Sequence, residues 1–176
     1  MSERQFLSIG IAVMTISDTR KLDDDKSGDT LVERLKASGH RLAGRTIVKD
    51  DVRQIRAAAR KLIADKNVDV IISTGGTGLT GRDVTIEAMR GLFEKEIEGF
   101  GTVFHMISFA KIRTSTMQSR ATAGVVKGKY IFCLPGSPGA CRDGWDEILL
   151  HQLDYRNKPC NFVEIMPRLE EGFRRK

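Results

Sequence analysis

Cysteine is scarce in this chain of 176 residues, which contains only Cys133, Cys141 and Cys160. The number is odd and no two of them have CxxC spacing, so the sequence predicts neither a disulfide framework nor a zinc site. The three histidines also lack the spacing that is typical of metal ligands. We therefore expect reduced thiols with structural roles.

Long apolar runs and blocks of like charge are also lacking. No segment approaches the roughly 18 consecutive apolar residues of a membrane span, and the N-terminus has no basic region followed by an apolar run and a cleavage site. We therefore expect a cytoplasmic protein without a membrane partner. The net charge of +6 is scattered along the chain, which favours an anionic small ligand over nucleic acid.

The length and the 40% hydrophobic content predict one domain over residues 1–176, with an extended tail from about residue 157. Apolar strands are predicted at 7–16, 46–48, 68–73 and 130–134, and the first three alternate with amphipathic helices. Such alternation is typical of a parallel sheet with helices on both faces. The predicted fold class is α/β, a three-layer αβα arrangement with a mostly parallel, Rossmann-like central sheet.

The strongest functional signal is VDVIISTGGTGLTGRDVTIEAM at residues 68–89. An apolar strand runs into a glycine-rich GGTG turn, and a polar, helix-compatible segment follows. Backbone amides at such a turn bind anions, and the adjacent Arg82 and Asp83 suit a phosphate and its magnesium ion. The alternative is an ordinary strand-to-helix turn without a ligand. Neither a P-loop nor a GxGxxG order of glycines is present.

Other polar residues also follow predicted strands. Asp18 follows the first strand, Asp50 follows the second, and the turn PGSPG at 135–139 follows the last. Ligands collect beyond the carboxyl ends of parallel strands, so we expect these residues and the GGTG turn to share one edge of the sheet. For Asp50 the alternative is a helix cap without chemistry.

Two segments are open to more than one interpretation. The hydroxyl-rich segment RTSTMQSRATAG suits a phosphate or a polar heterocycle, and a plain polar connector is the alternative. The other segment is a strongly apolar helix face, predicted for core packing or subunit contact and formed by Phe100, Val103, Phe104, Ile107 and Ala110.

Several motifs occur in order along nearly the whole chain: TISDT at 15–19, DDKSG at 24–28, TGGTGLTGRDVTIEA at 74–88, QSRATAG at 118–124 and LPGSPGA at 134–140. In this order they resemble the molybdopterin adenylyltransferase family, which includes MogA, MoaB and the G domains of plant and animal fusion proteins. EIEGFGTVFHMISF at 96–109 and KPCNF at 158–162 resemble the MoaB branch in particular.

The resemblance implies an enzyme that joins the terminal phosphate of molybdopterin to the α-phosphate of ATP, releases pyrophosphate and requires Mg²⁺. Asp83 and Asp50 are implied as catalytic residues and magnesium ligands. The residues implied for ATP phosphates are Gly75, Gly76, Thr77, Gly78, Pro135, Gly136 and Ser137, and those implied for pterin binding are Ser119, Arg120, Ser17, Asp18 and Ser27. Implied partners are ATP, molybdopterin, other proteins of the cofactor pathway, and further copies of the chain in a trimer or hexamer.

The chain departs from the family pattern at a few positions. Ile86 and Glu98 stand where the family has prolines, and PGSP replaces the commoner PGNP at Ser137. Some similar proteins lack the motif aspartate and do not catalyse, whereas this chain keeps Asp83, which favours activity. The alternatives are a non-catalytic pterin-binding or assembly protein of the same pathway and, from a different class, a nucleotide pyrophosphatase.

Overall fold

The computed structural model describes residues 4–171. Its strands are β1 (Gly10–Ile16), β2 (Arg41–Val48), β3 (Val70–Thr74), β4 (Lys95–Glu96), β5 (Thr122–Val126) and β6 (Lys129–Leu134). Its helices are α1 (Lys26–Ala37), α2 (Val52–Ala64), α3 (Thr85–Arg90), α4 (Glu98–Ile112), α5 (Pro138–Gly144), α6 (Leu150–Gln152) and α7 (Phe162–Ile165). Single 3₁₀ segments lie at Leu22–Asp24, Arg113–Gln118 and Met166–Arg168, and a π turn at Trp145–Leu149 joins α5 to α6.

The strands form one sheet in the order β2-β1-β3-β6-β5-β4. The first four of these run parallel, whereas β5 is antiparallel to β6 and β4 is antiparallel to β5. Thr15 pairs with Thr74, and Thr74 pairs with Leu134, so the carboxyl ends of the parallel strands lie at one edge. The prediction of an α/β fold with a mostly parallel sheet is confirmed.

Both faces of the sheet are covered by helices. Every residue of β1 is buried, and its side chains alternate between two cores. Ile11 packs in one core with residues of α1, α4 and α5, and Met14 packs in the other with residues of α2 and α3. An apolar run without polar alternation is the pattern expected of a strand buried on both sides. The three-layer arrangement follows from this double burial.

The antiparallel part of the sheet was absent from the sequence-based prediction. Lys127 and Gly128 have φ values of 46° and 74°, and two left-handed residues form the tight turn that joins β5 to β6. The bounds of the parallel strands also differ from the prediction, since β1 begins at Gly10 and β2 begins at Arg41.

The C-terminal segment differs from the predicted extended tail. It contains α7 and the 3₁₀ segment at Met166–Arg168, and the Phe162 ring packs 4.9 Å from the ring of Tyr130. The Tyr130 hydroxyl donates to the Phe162 carbonyl at 2.9 Å. Residues 172–176 of the predicted tail lie outside the described residues. Between residues 4 and 171, no helix is both long enough and apolar enough to cross a membrane.

Candidate functional site

The rim of the sheet is the edge where the parallel strands end. It is formed by the loops after β1, β2, β3 and β6 and by the link that enters β5, at residues 17–20, 49–51, 75–84, 135–137 and 119–121. The structure therefore brings the predicted aspartates, the GGTG turn and the PGSPG turn to one edge. The link before β5 joins them because an antiparallel strand starts where its parallel neighbours end.

Two left-handed residues shape the GGTG turn. Gly75 and Gly76 have φ values of 99° and 62°, a conformation that residues with side chains rarely adopt. A β-carbon on Gly76 would lie 2.3 Å from Asp50 Oδ1 and 2.4 Å from Thr85 Oγ1. Both the backbone conformation and the available space therefore require glycine at position 76, and the turn packs directly against Asp50.

Hydrogen bonds hold this turn to its neighbours. The Gly75 N–H donates to the Leu134 carbonyl at 3.1 Å, and the Thr85 hydroxyl donates to the Gly75 carbonyl at 2.9 Å. The Thr85 N–H donates to the Gly76 carbonyl at 2.9 Å. A β-carbon on Gly136 would lie 3.0 Å from the Gly75 Cα, so the PGSPG turn also packs against it. The turn is thus fixed to both β6 and α3.

Asp50 carries a buried carboxylate oxygen without a hydrogen-bond partner, Oδ1. Burial raises the pKa of Asp50, and the carboxylates of Asp18 and Asp83 raise it further, against a lowering effect of Arg82. Buried polar atoms in folded proteins nearly always have a partner. A bound cation at this oxygen would supply one.

Asp83 lies at the other end of the loop that begins with the glycines. Its Oδ2 accepts hydrogen bonds from the Thr80 hydroxyl at 2.6 Å and from the Thr80 N–H at 3.0 Å. The Thr80 hydroxyl holds the pKa of Asp83 below its ordinary value, and the N–H groups of Thr80 and Gly78 and the charge of Arg120 act in the same direction, against an opposing effect of burial. Asp83 therefore stays ionised under conditions in which Asp50 is more easily protonated.

Asp18 forms an ion pair with Arg82, which connects the loops after β1 and β3. This pair holds the pKa of Asp18 below its ordinary value. The other carboxylate oxygen, Oδ1, accepts the Asp50 N–H at 3.2 Å. Asp18 thus contacts the backbone of Asp50, one candidate magnesium ligand. The charge of Asp18 is neutralised by Arg82, which precedes the other candidate ligand, Asp83, in the chain.

The predicted serines make hydrogen bonds within the protein. Ser17 Oγ accepts the N–H groups of the residues two and three positions later. The Ser27 hydroxyl donates to the Gly136 carbonyl at 2.9 Å, and Ser137 Oγ caps α5 by accepting the N–H three residues later at 3.1 Å. These serines shape the loops of the rim, and their contacts with a pterin or nucleotide stay predictions.

Ser119 and Arg120 reach the rim through the link before β5. The Arg120 side chain contacts the backbone of the GGTG turn and pairs with Glu87 on α3. A cavity of about 160 Å³ lies between this link, α4 and the PGSPG turn. Its lining consists of Phe104, Ser108, Ile112, Ser119, Pro135, Ser137, Gly139, Ala140 and Asp143.

Sequence reasoning missed two charged residues of this region. Arg20 Nη1 donates to the Ser27 hydroxyl at 3.2 Å and to the Gly136 carbonyl at 3.4 Å, which joins the loop after β1 to the PGSPG turn. Glu87 is the ion-pair partner of Arg120. The available signal was their position, since Arg20 directly follows TISDT and Glu87 lies within the longest motif.

The donor set at the rim fits a magnesium ion. Within the part of the chain that the structure describes, no group of three or more His, Cys, Asp and Glu side chains could hold a metal ion by itself. Mg²⁺ is commonly bound by one or two carboxylates together with substrate phosphates and water. The unpartnered oxygen of Asp50 and the ionised Asp83 meet that requirement.

Comparisons with known proteins agree on one family. The profile described as "Probable molybdopterin binding domain" matches residues 12–155. The chain is 47% identical over 158 residues to molybdenum cofactor biosynthesis protein B of Escherichia coli (strain K12), which covers 90% of this chain and 93% of that protein.

Solved structures of proteins with related names also match this chain. A crystal structure of molybdenum cofactor biosynthesis protein B matches with a TM-score of 0.85 and 40% identity, covering 97% of this chain and 99% of that one. The tungsten cofactor synthesizing protein MoaB from Pyrococcus furiosus matches with a TM-score of 0.73 and 35% identity, covering 81% of this chain and 91% of that one.

Proposed function

This chain belongs to the family of probable molybdopterin binding domains, and on that premise we propose that it is a magnesium- and ATP-dependent molybdopterin adenylyltransferase. Its role lies in molybdenum cofactor biosynthesis. In the proposed reaction a terminal phosphate oxygen of molybdopterin attacks the α-phosphorus of ATP, and the bond from that phosphorus to the bridging oxygen of the β-phosphate breaks. Pyrophosphate leaves, and adenylylated molybdopterin is formed.

The observation that carries the proposal is the convergence of two aspartates on one glycine turn. Asp50 Oδ1 lies 2.3 Å from the position of a β-carbon on Gly76, and Asp83 Oδ2 lies 2.7 Å from the corresponding position on Gly78. A reaction between two phosphorylated molecules needs amide donors for the phosphates and carboxylates for a cation side by side. An anion-binding turn alone would not need the carboxylates.

The two substrates are assigned to different parts of the rim. Glycines in the turn let a phosphate approach the backbone amides closely. We assign the ATP phosphates to the turn formed by Gly75, Gly76, Thr77 and Gly78, with Pro135, Gly136 and Ser137 as the facing wall. Because the Gly75 N–H donates to the Leu134 carbonyl, Gly75 shapes the turn and is not itself an amide donor. We assign the pterin phosphate to Ser17, Asp18, Ser27 and Ser119, which flank the two turns, and the cavity lined by Ser119 offers room for a heterocycle.

Asp50 and Asp83 are the residues that would hold Mg²⁺. When bound, the ion neutralises negative charge on the phosphate oxygens. Asp83 offers a carboxylate whose lowered pKa favours the ionised form. Asp50 offers an oxygen that the folded chain leaves without a partner.

The chemistry does not require an enzyme nucleophile. Positioning of the reactants and neutralisation of charge account for most catalysis of phosphoryl-group transfer. The thiols close to the sheet are unsuited to attack, since burial raises the pKa of Cys133 to about 12 and that of Cys141 to about 11. We therefore propose direct transfer between the two substrates.

Single-turnover incubation with molybdopterin and γ-labelled ATP tests the proposal. The wild-type chain is expected to release labelled pyrophosphate in step with adenylylated molybdopterin. Asp83→Asn is expected to lose most of this release with only a small loss of melting temperature, because Asp83 lies on a loop outside the core and the Asn side-chain oxygen can still accept the Thr80 hydrogen bonds. The matched control is Asp146→Asn, which removes an exposed partner of Arg34 on α1. Retention of the pterin without pyrophosphate release would favour the non-catalytic alternative.

We also propose that the outer face of α4 is a contact between copies of this chain. Phe100 and Phe104 are buried in the core, whereas Met106, Phe109 and Ile112 are 68%, 47% and 50% exposed. Contiguous exposed apolar side chains mark contact surfaces. Met106→Glu is expected to reduce the mass measured by sedimentation to that of a 19.6 kDa monomer, with the exposed Gln54→Glu on α2, on the opposite face of the sheet, as control. A monomeric wild type would contradict this proposal.

A further inference from the structure

Arg120 is tied to the glycine loop by its backbone and by its side chain. Its N–H donates to the Thr77 carbonyl at 3.1 Å. Its Nε donates to the carbonyls of Thr77 and Gly78, both at 3.1 Å, and its Nη2 donates to the Asp83 carbonyl at 3.2 Å. Three carbonyl groups of one loop therefore converge on a single guanidinium.

Glu87 occupies the remaining side of that guanidinium. Its Oε1 pairs with Arg120 Nη1, and its Oε2 accepts from Nη2 at 3.3 Å. The Arg120 guanidinium holds the pKa of Glu87 below its ordinary value, so the pair stays charged. All three nitrogen atoms of the guanidinium are thus engaged by the protein. Since Glu87 lies on α3, the contact also joins the loop to the helix that follows it.

Because the peptide group is planar, these contacts also fix the direction of the N–H groups in the loop. In a trans peptide the carbonyl of one residue and the N–H of the next point in opposite directions. With the carbonyls of Thr77 and Gly78 held by Arg120, the N–H groups of Gly78 and Leu79 face away from it. Gly78 also lies beside Asp83, whose Oδ2 is 2.7 Å from the position of a β-carbon on Gly78.

We infer that Arg120 is a positioning residue that acts through the glycine loop and does not bind the pterin phosphate. Together with Glu87 it fixes the direction of the loop amides and the place of Asp83. This role replaces the pterin contact that the family resemblance implies for Arg120. Its kinetic consequence rests on the proposed adenylyl transfer, whereas its effect on the loop does not.

Hydrogen exchange in the unliganded protein tests the effect on the loop. Arg120→Lys keeps the charge but loses the planar fork of donors. We expect the amides of residues 75–84 to exchange on the order of tenfold faster in this variant, with the central strands unchanged. Glu87→Gln is expected to give a smaller change in the same residues. Arg34→Lys, at an ion pair with Asp146 outside the rim, is the control. Wild-type exchange of residues 75–84 in Arg120→Lys would overturn the inference.

Steady-state kinetics separate a positioning residue from a ligand. A positioning residue predicts that Arg120→Lys lowers kcat on the order of 10- to 100-fold, because misplacement of reacting groups slows the transfer itself. The KM for molybdopterin is expected to change by no more than about twofold. A raised KM for molybdopterin with unchanged kcat in Arg120→Lys would overturn the inference. A lower KM for molybdopterin in Glu87→Gln would also overturn it, because it would mean that the released guanidinium binds this substrate. If the wild type shows no adenylyl transfer, the proposed function fails and the exchange result still decides the role of Arg120 in the loop.

Discussion

The Arg82 guanidinium pairs with the Asp18 carboxylate across the rim, although 64 residues separate them in the chain. The pair lies beside Asp50, whose pKa is raised first by burial and then by Asp18, and is lowered by Arg82. The two partners thus act in opposite directions on the same carboxyl group. Their pairing therefore sets part of the proton affinity of a proposed magnesium ligand.

Protonation of Asp50 is expected to lower kcat/KM at acidic pH, which gives the pH profile an acid limb. Replacing Asp18 and replacing Arg82 are expected to shift this limb in opposite directions. Asp18→Asn removes a negative charge and leaves Arg82 unpaired, so the pKa of Asp50 falls and the limb moves to lower pH. Arg82→Gln removes the cation, so the pKa of Asp50 rises and the limb moves to higher pH. The pH profile of kcat/KM reports groups of the free enzyme and is the measurement. Shifts in the same direction would contradict the assignment of the limb to Asp50.

Asp50→Asn is expected to stabilise the protein while abolishing adenylyl transfer. The pKa of Asp50 is raised in the folded chain, so its ionised form opposes folding above that pKa and this cost disappears as the pH falls. A neutral amide removes this cost of ionisation, so the variant should have a higher Tm than the wild type near neutral pH and a smaller difference in mild acid. Calorimetry near neutral pH and in mild acid measures it. Asp51→Ala, which removes the cap of α2, should lower Tm instead.

Gly76→Ala is expected to destabilise the protein and to stop the transfer. The new methyl group would force a left-handed residue to carry a side chain and would displace the carboxylate of Asp50, 2.3 Å away. Backbone strain of this kind costs about 1–3 kcal/mol. Gly81→Ala is the matched control, because nothing lies within 4 Å of a β-carbon at that position. Urea unfolding and single-turnover assays of both variants give the comparison, and equal behaviour of the two would contradict the prediction.

His40 is expected to make the stability of the protein fall in mild acid. Burial lowers its pKa, against an opposing effect of Asp154; its ring packs 5.0 Å from that of Phe6, and its Nδ1 accepts the Ile9 N–H. The unfolded chain therefore binds the proton more tightly, so this stability is complete above the unfolded pKa of about 6.5 and is lost as the pH falls below it. His40→Gln should flatten the dependence of Tm on pH across this range. The exposed His151→Gln should leave the wild-type slope unchanged.

The parallel part of the fold and the placement of the rim were accessible from the sequence. The apolar runs of β1 and β3 predict strands buried on both faces, and polar residues directly after them must then lie at a common edge. The family resemblance is confirmed by the profile match and by the relatives. The assignments of residues to ATP, pterin and magnesium stay predictions.

Other features depend on contacts that no local pattern encodes. β5 is a short strand after a hydroxyl-rich segment, and its antiparallel direction is set by the hairpin turn at Lys127 and Gly128. That direction brings Arg120 to the GGTG turn, where it meets Glu87. Pairs such as these join residues far apart in the chain, so spacing along the sequence carries no information about them.

The bond from the Gly75 N–H to the Leu134 carbonyl joins the middle of the chain to its last strand. During translation the glycines emerge long before β6, and until that strand has docked the turn lacks the neighbour that holds it. The PGSPG turn and the Ser27 contact to Gly136 arrive at the same late moment. A chain truncated before residue 137 would therefore lack the bond that holds the glycine turn and one wall of the rim, so the rim is completed only after β6 and the PGSPG turn have been added.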